Sequence, residues 1–144
     1  MTDRKAIEDE INTMLMARAE AFGSKSAKEA TSYSADDIVH YSLAPPLATL
    51  GKDEKGLQGW FDTWEGPIGG DVRDEKLTVG EDVAFWTGLV NMTGIKTDGT
   101  KVDLWFRQTL GLVKTASGWK VAHEHESVPF AMDGSGRGLF DLKP

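Results

Sequence analysis

Two histidines and two glutamates alternate in the stretch Trp119-Lys120-Val121-Ala122-His123-Glu124-His125-Glu126-Ser127. In a strand, Trp119, Val121, His123, His125 and Ser127 point one way, and Lys120, Ala122, Glu124 and Glu126 the other. Paired carboxylates suit acid/base work, while His123 and His125 could ligate a metal with His40 or a carboxylate as a further donor. Two histidines on a strand are more often hydrogen-bonded structural residues, so no metal and no cofactor is expected. Arg107 lies in the preceding apolar run. A four-residue connection with Lys114 opposite Trp119 places Arg107 opposite Glu126, on a face shared with Trp105 and Glu124. A one-residue slip places it beside His125 instead. The plain structural alternative is a cross-strand ion pair worth about 0.2–1 kcal/mol.

The elements that must position these groups change period midway along the chain. From Asp3 to Phe22, Ile7, Ile11, Met14, Leu15, Ala19 and Phe22 recur at helical spacing, and Gly23 follows as a terminator. Ser26-Ala27-Lys28-Glu29 is a capping box that starts a short second helix, Lys28 to Tyr33. Asp37 to Leu43 is a brief strand stopped by Pro45-Pro46. Gly51 to Trp64 forms a third helix with Leu57, Trp60, Phe61 and Trp64 on one side. After Gly66-Pro67-Ile68-Gly69-Gly70 come four strand-like runs, Val72–Val79, Asp82–Ile95, Lys101–Lys114 and Trp119–Val128. Helices followed by a sequential meander predict an α+β fold. The tail from about residue 129 is glycine-rich and irregular, and residues 1–144 are expected to form one domain.

Asp98-Gly99 signals a two-residue hairpin with Thr97 opposite Thr100. That register pairs Met92 with Trp105 and Val90 with Arg107. One face then carries Trp86, Val90, Met92, Asp103, Trp105, Arg107 and Thr109. The other carries Phe85, Leu89, Ile95, Val102, Leu104, Phe106, Leu110 and Leu112. Both faces are rich in apolar groups, helices from this chain can cover one, and a homodimer is expected to cover the other.

Bulk properties work by exclusion. The chain has 144 residues, no cysteine and a formal charge of −7. Disulfides and thiolate metal sites are excluded, and an acidic chain with scattered cations is a poor fit to nucleic acid. No apolar run spans a membrane, and Met1-Thr2-Asp3-Arg4 lacks the layout of a signal peptide, so a cytoplasmic location is expected. No serine stands in a Gly-x-Ser-x-Gly setting.

Trp105-Phe106-Arg107-Gln108-Thr109 and Ser117-Gly118-Trp119 through Pro129 resemble the closing hairpin of SnoaL-like domains. These belong to the nuclear-transport-factor-two-like superfamily, with ketosteroid isomerase and the association domain of calmodulin-dependent kinase. The resemblance implies a cone-like barrel of curved antiparallel sheet around N-terminal helices, with a deep pocket. The catalytic aspartate of the isomerase aligns with Tyr41, its helix tyrosine with Met16 or Ala17, and its partner acid near Thr109. That set does not carry over, so isomerase activity of that kind is not expected. The acidic residue of SnoaL-type cyclases aligns with Glu126. The expected cavity is lined by Tyr41, Trp60, Trp105, Arg107 and Glu126, with Glu124, His123 and His125 as further candidates. Its expected occupant is a small hydrophobic or carbonyl-containing molecule. The first reading is a small-molecule-binding domain without turnover, because the isomerase set does not carry over. The alternative is an isomerase-, cyclase- or hydrolase-type enzyme doing acid/base chemistry on a carbonyl-containing ring, with Glu126 as acid/base and Arg107 as its electrostatic partner.

Overall fold

The computed structural model describes residues 3–144, leaving Met1 and Thr2 of the expected signal-free start outside it. Helix α1 (Arg4–Gly23) starts at Asp3, whose carboxylate accepts from the Lys5 N–H at 3.0 Å. Helix α2 (Ala27–Ser32) is capped by Ser26, which accepts from the Glu29 N–H at 3.3 Å. Strand β1 (Ser34–Tyr41) and the two-residue β2 (Thr49–Leu50) precede helix α3 (Glu54–Phe61). The remainder is strand: β3 (Trp64–Gly69), β4 (Val72–Val79), β5 (Val83–Lys96), β6 (Lys101–Thr115) and β7 (Gly118–Ser127). Beyond β7 the chain is irregular apart from one bridge, Phe130 with Gly138.

The third helix is shorter than its periodicity predicts. Asp53 caps it by accepting from the Gly56 N–H at 2.9 Å, and Trp64 already belongs to β3. The breaker pair Gly66-Pro67 masks this strand in the sequence. Proline is tolerated there because β3 is an edge strand with irregular register between Glu65 and Gly69.

The sheet runs β2-β1-β7-β6-β5-β3, and β4 pairs with β5 alongside β3. It is mixed rather than wholly antiparallel, because β7 returns parallel to β1. The fold is α+β, with helices on one side of a curved, unclosed sheet.

Two single-residue events set the faces. The β5–β6 hairpin closes through three residues, Thr97, Asp98 and Gly99, so Lys96 bonds to Thr100. Gly99 adopts φ +90°, the left-handed conformation that ends such a loop. Met92 therefore pairs with Leu104 and Val90 with Phe106, one residue away from the two-residue-turn register. The correction gathers Trp86, Val90, Met92, Leu104, Phe106, Leu110 and Leu112 on the inner face. Phe85, Leu89, Ile95, Trp105 and Arg107 are left on the outer face.

The second event is a bulge in β7. Lys114 faces Trp119 as expected and Leu112 faces Val121, but Gly111 faces His123, so Ala122 is the extra residue. Alternation restarts after it. Trp119 and Val121 point inward, and so do Glu124 and Glu126, while His123 and His125 point outward. Inner-face residues Ala84, Trp86, Leu110, Leu112, Trp119 and Val121 pack with Ile7 and Ile11 of α1 and Ile38 of β1.

Leu112 is 0% exposed at the centre of this cluster, whereas Leu47 is 97% exposed in a loop. Leu112→Ala should cost about 2–5 kcal/mol in urea unfolding, and Leu47→Ala less than about 0.5 kcal/mol. Equal losses would contradict this placement of the core.

Candidate functional site

The inner face ends in a group of charges rather than in apolar contacts. Glu124 is 3% exposed and Arg18, on α1, is 9% exposed. The Arg18 Nη2 donates to Glu124 Oε2. His40, on β1, brings Nε2 to 3.0 Å from Glu124 Oε1 and 3.2 Å from Glu126 Oε1. Gln108, opposite Glu126 on β6, approaches Glu126 Oε2 with its amide at 3.5 Å.

Each element contributes for a local reason. The Ala122 bulge turns both glutamates inward, and the parallel pairing of β1 with β7 sets His40 directly beside Glu124. Arg18 falls on the stripe of α1 that also buries Ile7, Ile11 and Ala21. Its guanidinium lies over the Phe22 ring, 4.9 Å from the centroid. On β5, Gly88 faces Gln108, and a side chain there would strike the Trp86 indole at 2.4 Å.

The charges divide the proton affinities. Hydrogen bonds to Glu124 and then to Glu126 push His40 up to about 10, against the opposing effect of burial. Burial alone would raise Glu124, but Arg18 and His40 outweigh it and hold that carboxyl down to about 2. Glu126 moves the other way, raised by burial and by the negative charge of Glu124. The arrangement provides a fixed carboxylate, a cationic imidazole and a carboxyl that binds a proton more readily than usual.

Glu126 also lines an open groove of about 720 Å³, with Tyr41, His125 and the loop from Ser42 to Ala48. The loop wall is largely apolar, from Leu43 through Pro45, Pro46 and Leu47.

The remaining expected site residues are dispersed. Arg107 does not face Glu126: it pairs with Ser127 and donates to the Ser127 hydroxyl at 3.1 Å on the exposed outer face. The bulge moves every β6 partner beyond Gly111 by one residue, which is why the expected ion pair is not formed. Trp105, on the same outer face, joins Arg107 along a second groove of about 190 Å³ bordered by Leu142 and Pro144. His123 donates from Nδ1 to the Val39 carbonyl at 2.7 Å. The rings of His123 and His125 stand edge-on to Tyr41 at 4.9 and 5.3 Å. Trp60 packs beside Trp64 and Lys96, on α3. Glu124, Glu126 and His40 come together, and Arg18 joins them although the sequence reading passed over it. Its signal was a cation at helical spacing within an apolar stripe.

Donor atoms of His40, Glu124 and Glu126 all lie within 4.8 Å of one another, close enough to converge on one cation. Arg18 and a protonated His40 already supply positive charge to these carboxylates, so a metal would have to displace the His40 proton. The charge balance favours a hydrogen-bonded group.

The SnoaL-like domain model matches residues 11–131, and the chain belongs to that family. A NTF2-like protein of unknown function from Pseudomonas putida is 26% identical, with TM-score 0.87, over 99% of this chain and 100% of that one. A ketosteroid isomerase-like protein from Erwinia carotovora atroseptica is 22% identical, with TM-score 0.66, over 83% and 93%. The association domain of CaMKII from C. elegans is 16% identical, with TM-score 0.65, over 86% and 97%. The last two show likeness of fold. No curated protein matches the chain. Among the described residues no helix is long and apolar enough to cross a membrane.

Two outcomes follow. The raised His40 contributes stability that is complete below its unfolded value of 6.5 and is lost as pH rises through about 10. In urea titrations, the stability lost in His40→Ala should therefore shrink across that window; a pH-independent loss would contradict the ion pairing. Dialysis against EDTA should leave the melting temperature unchanged, and a fall restored by zinc or manganese would reassign the three residues as metal ligands.

Proposed function

We propose that this SnoaL-like domain binds a small carbonyl-containing molecule in the Glu126 groove and moves a proton on it. The observation that carries the reading is Glu126 itself, a carboxyl with raised proton affinity at a partly apolar groove, hydrogen-bonded to a cationic His40. Two neighbouring acids driven in opposite directions are the usual mark of a divided acid/base role. As a carboxylate, Glu126 takes the proton from the carbon beside the carbonyl. The C–H electron pair moves toward the carbonyl oxygen, an O–H forms on Glu126, and the proton returns to carbon to complete the cycle. His40 orients the carboxylate and Arg18 neutralises Glu124, which is the electrostatic part that the sequence reading assigned to Arg107.

Proton NMR of cyclic ketones incubated with the protein in D2O tests this directly. Hydrogen exchange beside the carbonyl should exceed that in buffer and fall by about 10²–10⁴-fold in Glu126→Gln. Arg107→Ala should exchange like the parent. Absence of protein-dependent exchange with every ketone would sink the enzymatic reading, and ligand-induced shifts without exchange would leave a binding domain.

A cytoplasmic homodimer belongs to the same proposal. The outer sheet face exposes Phe85 at 48% and, further along the same face, carries the half-buried Leu89 and Trp105, apolar groups that a second copy would cover. The C. elegans structure is named for an association domain, in keeping with assembly on this fold. Sedimentation should give twice the chain mass of 15.7 kDa, and Phe85→Glu should reduce it to one chain. A parent protein that is monomeric at micromolar concentration would refute the dimer.

A further inference from the structure

The two inward carboxylates differ in what holds them. Glu124 has both oxygens taken by cations, Arg18 on Oε2 and His40 at 3.0 Å on Oε1. Glu126 has the same His40 nitrogen at 3.2 Å and, among the described residues, only the neutral Gln108 amide, at 3.5 Å, on its other oxygen. Glu126 borders the groove, whereas Glu124 lies behind it at 3% exposure. Arg18 is itself nine-tenths buried against Phe22, so its guanidinium is fixed by packing as well as by charge.

We propose that Arg18 is a positioning residue: by pairing with Glu124 Oε2 it fixes the carboxylate that anchors His40, and leaves Glu126, at the groove, as the carboxyl that exchanges a proton. The role in turnover rests on the proton-transfer reading above, but the clamp itself can be measured without a substrate. The groups that face one another are Arg18 from α1, His40 from β1, Gln108 from β6, and Glu124 and Glu126 from β7. Without Arg18, two neighbouring carboxylates compete for one imidazolium. Like charges that close share a proton, and the more deeply buried of the two takes the larger part.

Carboxyl 13C titrations of the parent protein, of Arg18→Met and of Arg18→Lys decide the matter. In the parent, Glu126 should titrate well above Glu124. In Arg18→Met, the Glu124 midpoint should rise by more than about one pH unit, a tenfold gain in proton affinity. Arg18→Lys should restore most of the parent pattern. A folded Arg18→Met with an unmoved Glu124 midpoint would overturn the proposal. Should Arg18→Met fail to fold, Glu124→Gln decides instead. Removing the clamped charge must lower the Glu126 midpoint, and an unchanged midpoint would overturn the proposal equally. If the titrations behave as expected in a protein that exchanges no ketone hydrogen, the clamp stands and only the enzymatic reading falls.

Discussion

The site depends on one extra residue. A strand of strict alternation would put Glu124 and Glu126 on the face opposite Trp119 and Val121. The core would then meet two histidines, and the carboxylates would face solvent. Ala122 breaks the alternation, and a single strand can bury Trp119 and Val121 at one end and Glu124 at the other. A bulge costs ladder pairing locally and re-aims the side chains beyond it. Here it converts one strand from a core element into a carrier of charge without changing the layer it belongs to.

Bringing two carboxylates inside creates an electrostatic demand that the rest of the fold must meet. Removing one partner of a buried ion pair typically costs about 3–5 kcal/mol, because the other charge is stranded. A core of apolar residues in the same volume would fold at least as well, so stability alone is a poor account of the group. Arg18 and His40 come from separate elements, the first helix and the first strand, and meet across the core at Glu124. The consequence is an asymmetry. The cations are concentrated on the deeper carboxylate, and the one at the groove is left to titrate.

The large periods were legible in the sequence, and the single-residue events were not. Helical spacing from Ile7 to Phe22 located α1, the Ser26 cap located α2, and four apolar runs located β4 to β7. The turn at Asp98-Gly99 was placed correctly but one residue short, because two- and three-residue loops can share the same dipeptide, and here Gly99 adopts positive φ while Asp98 does not. The small alanine at position 122 carries no bulge signal, so the Arg107–Glu126 pairing followed from a parity that holds only as far as Val121. Trp64 sat at the end of an apparent helix because the edge strand it begins contains Gly66 and Pro67. Arg18 had a visible signal, a cation within an apolar stripe, but its partner lies 106 residues away and no local pattern points to it.

The parallel pairing of β1 with β7, which the meander reading did not anticipate, joins the charged group to the groove. Two strands that run the same way side by side can end together, and Tyr41 and His125 are partners at that end. The chain leaves β1 there as the Ser42–Ala48 loop, so the apolar wall rises next to Glu126 rather than at a distant turn. An antiparallel partner would have placed the start of β1, with Ser34 and Ala35, beside the glutamates, and His40 would have lain at the far end of the ladder. Strand direction, bulge and helix stripe are independent features of the sequence. Only their coincidence at Glu124 sets a cationic imidazole, a clamped carboxylate and an accessible carboxyl in one place.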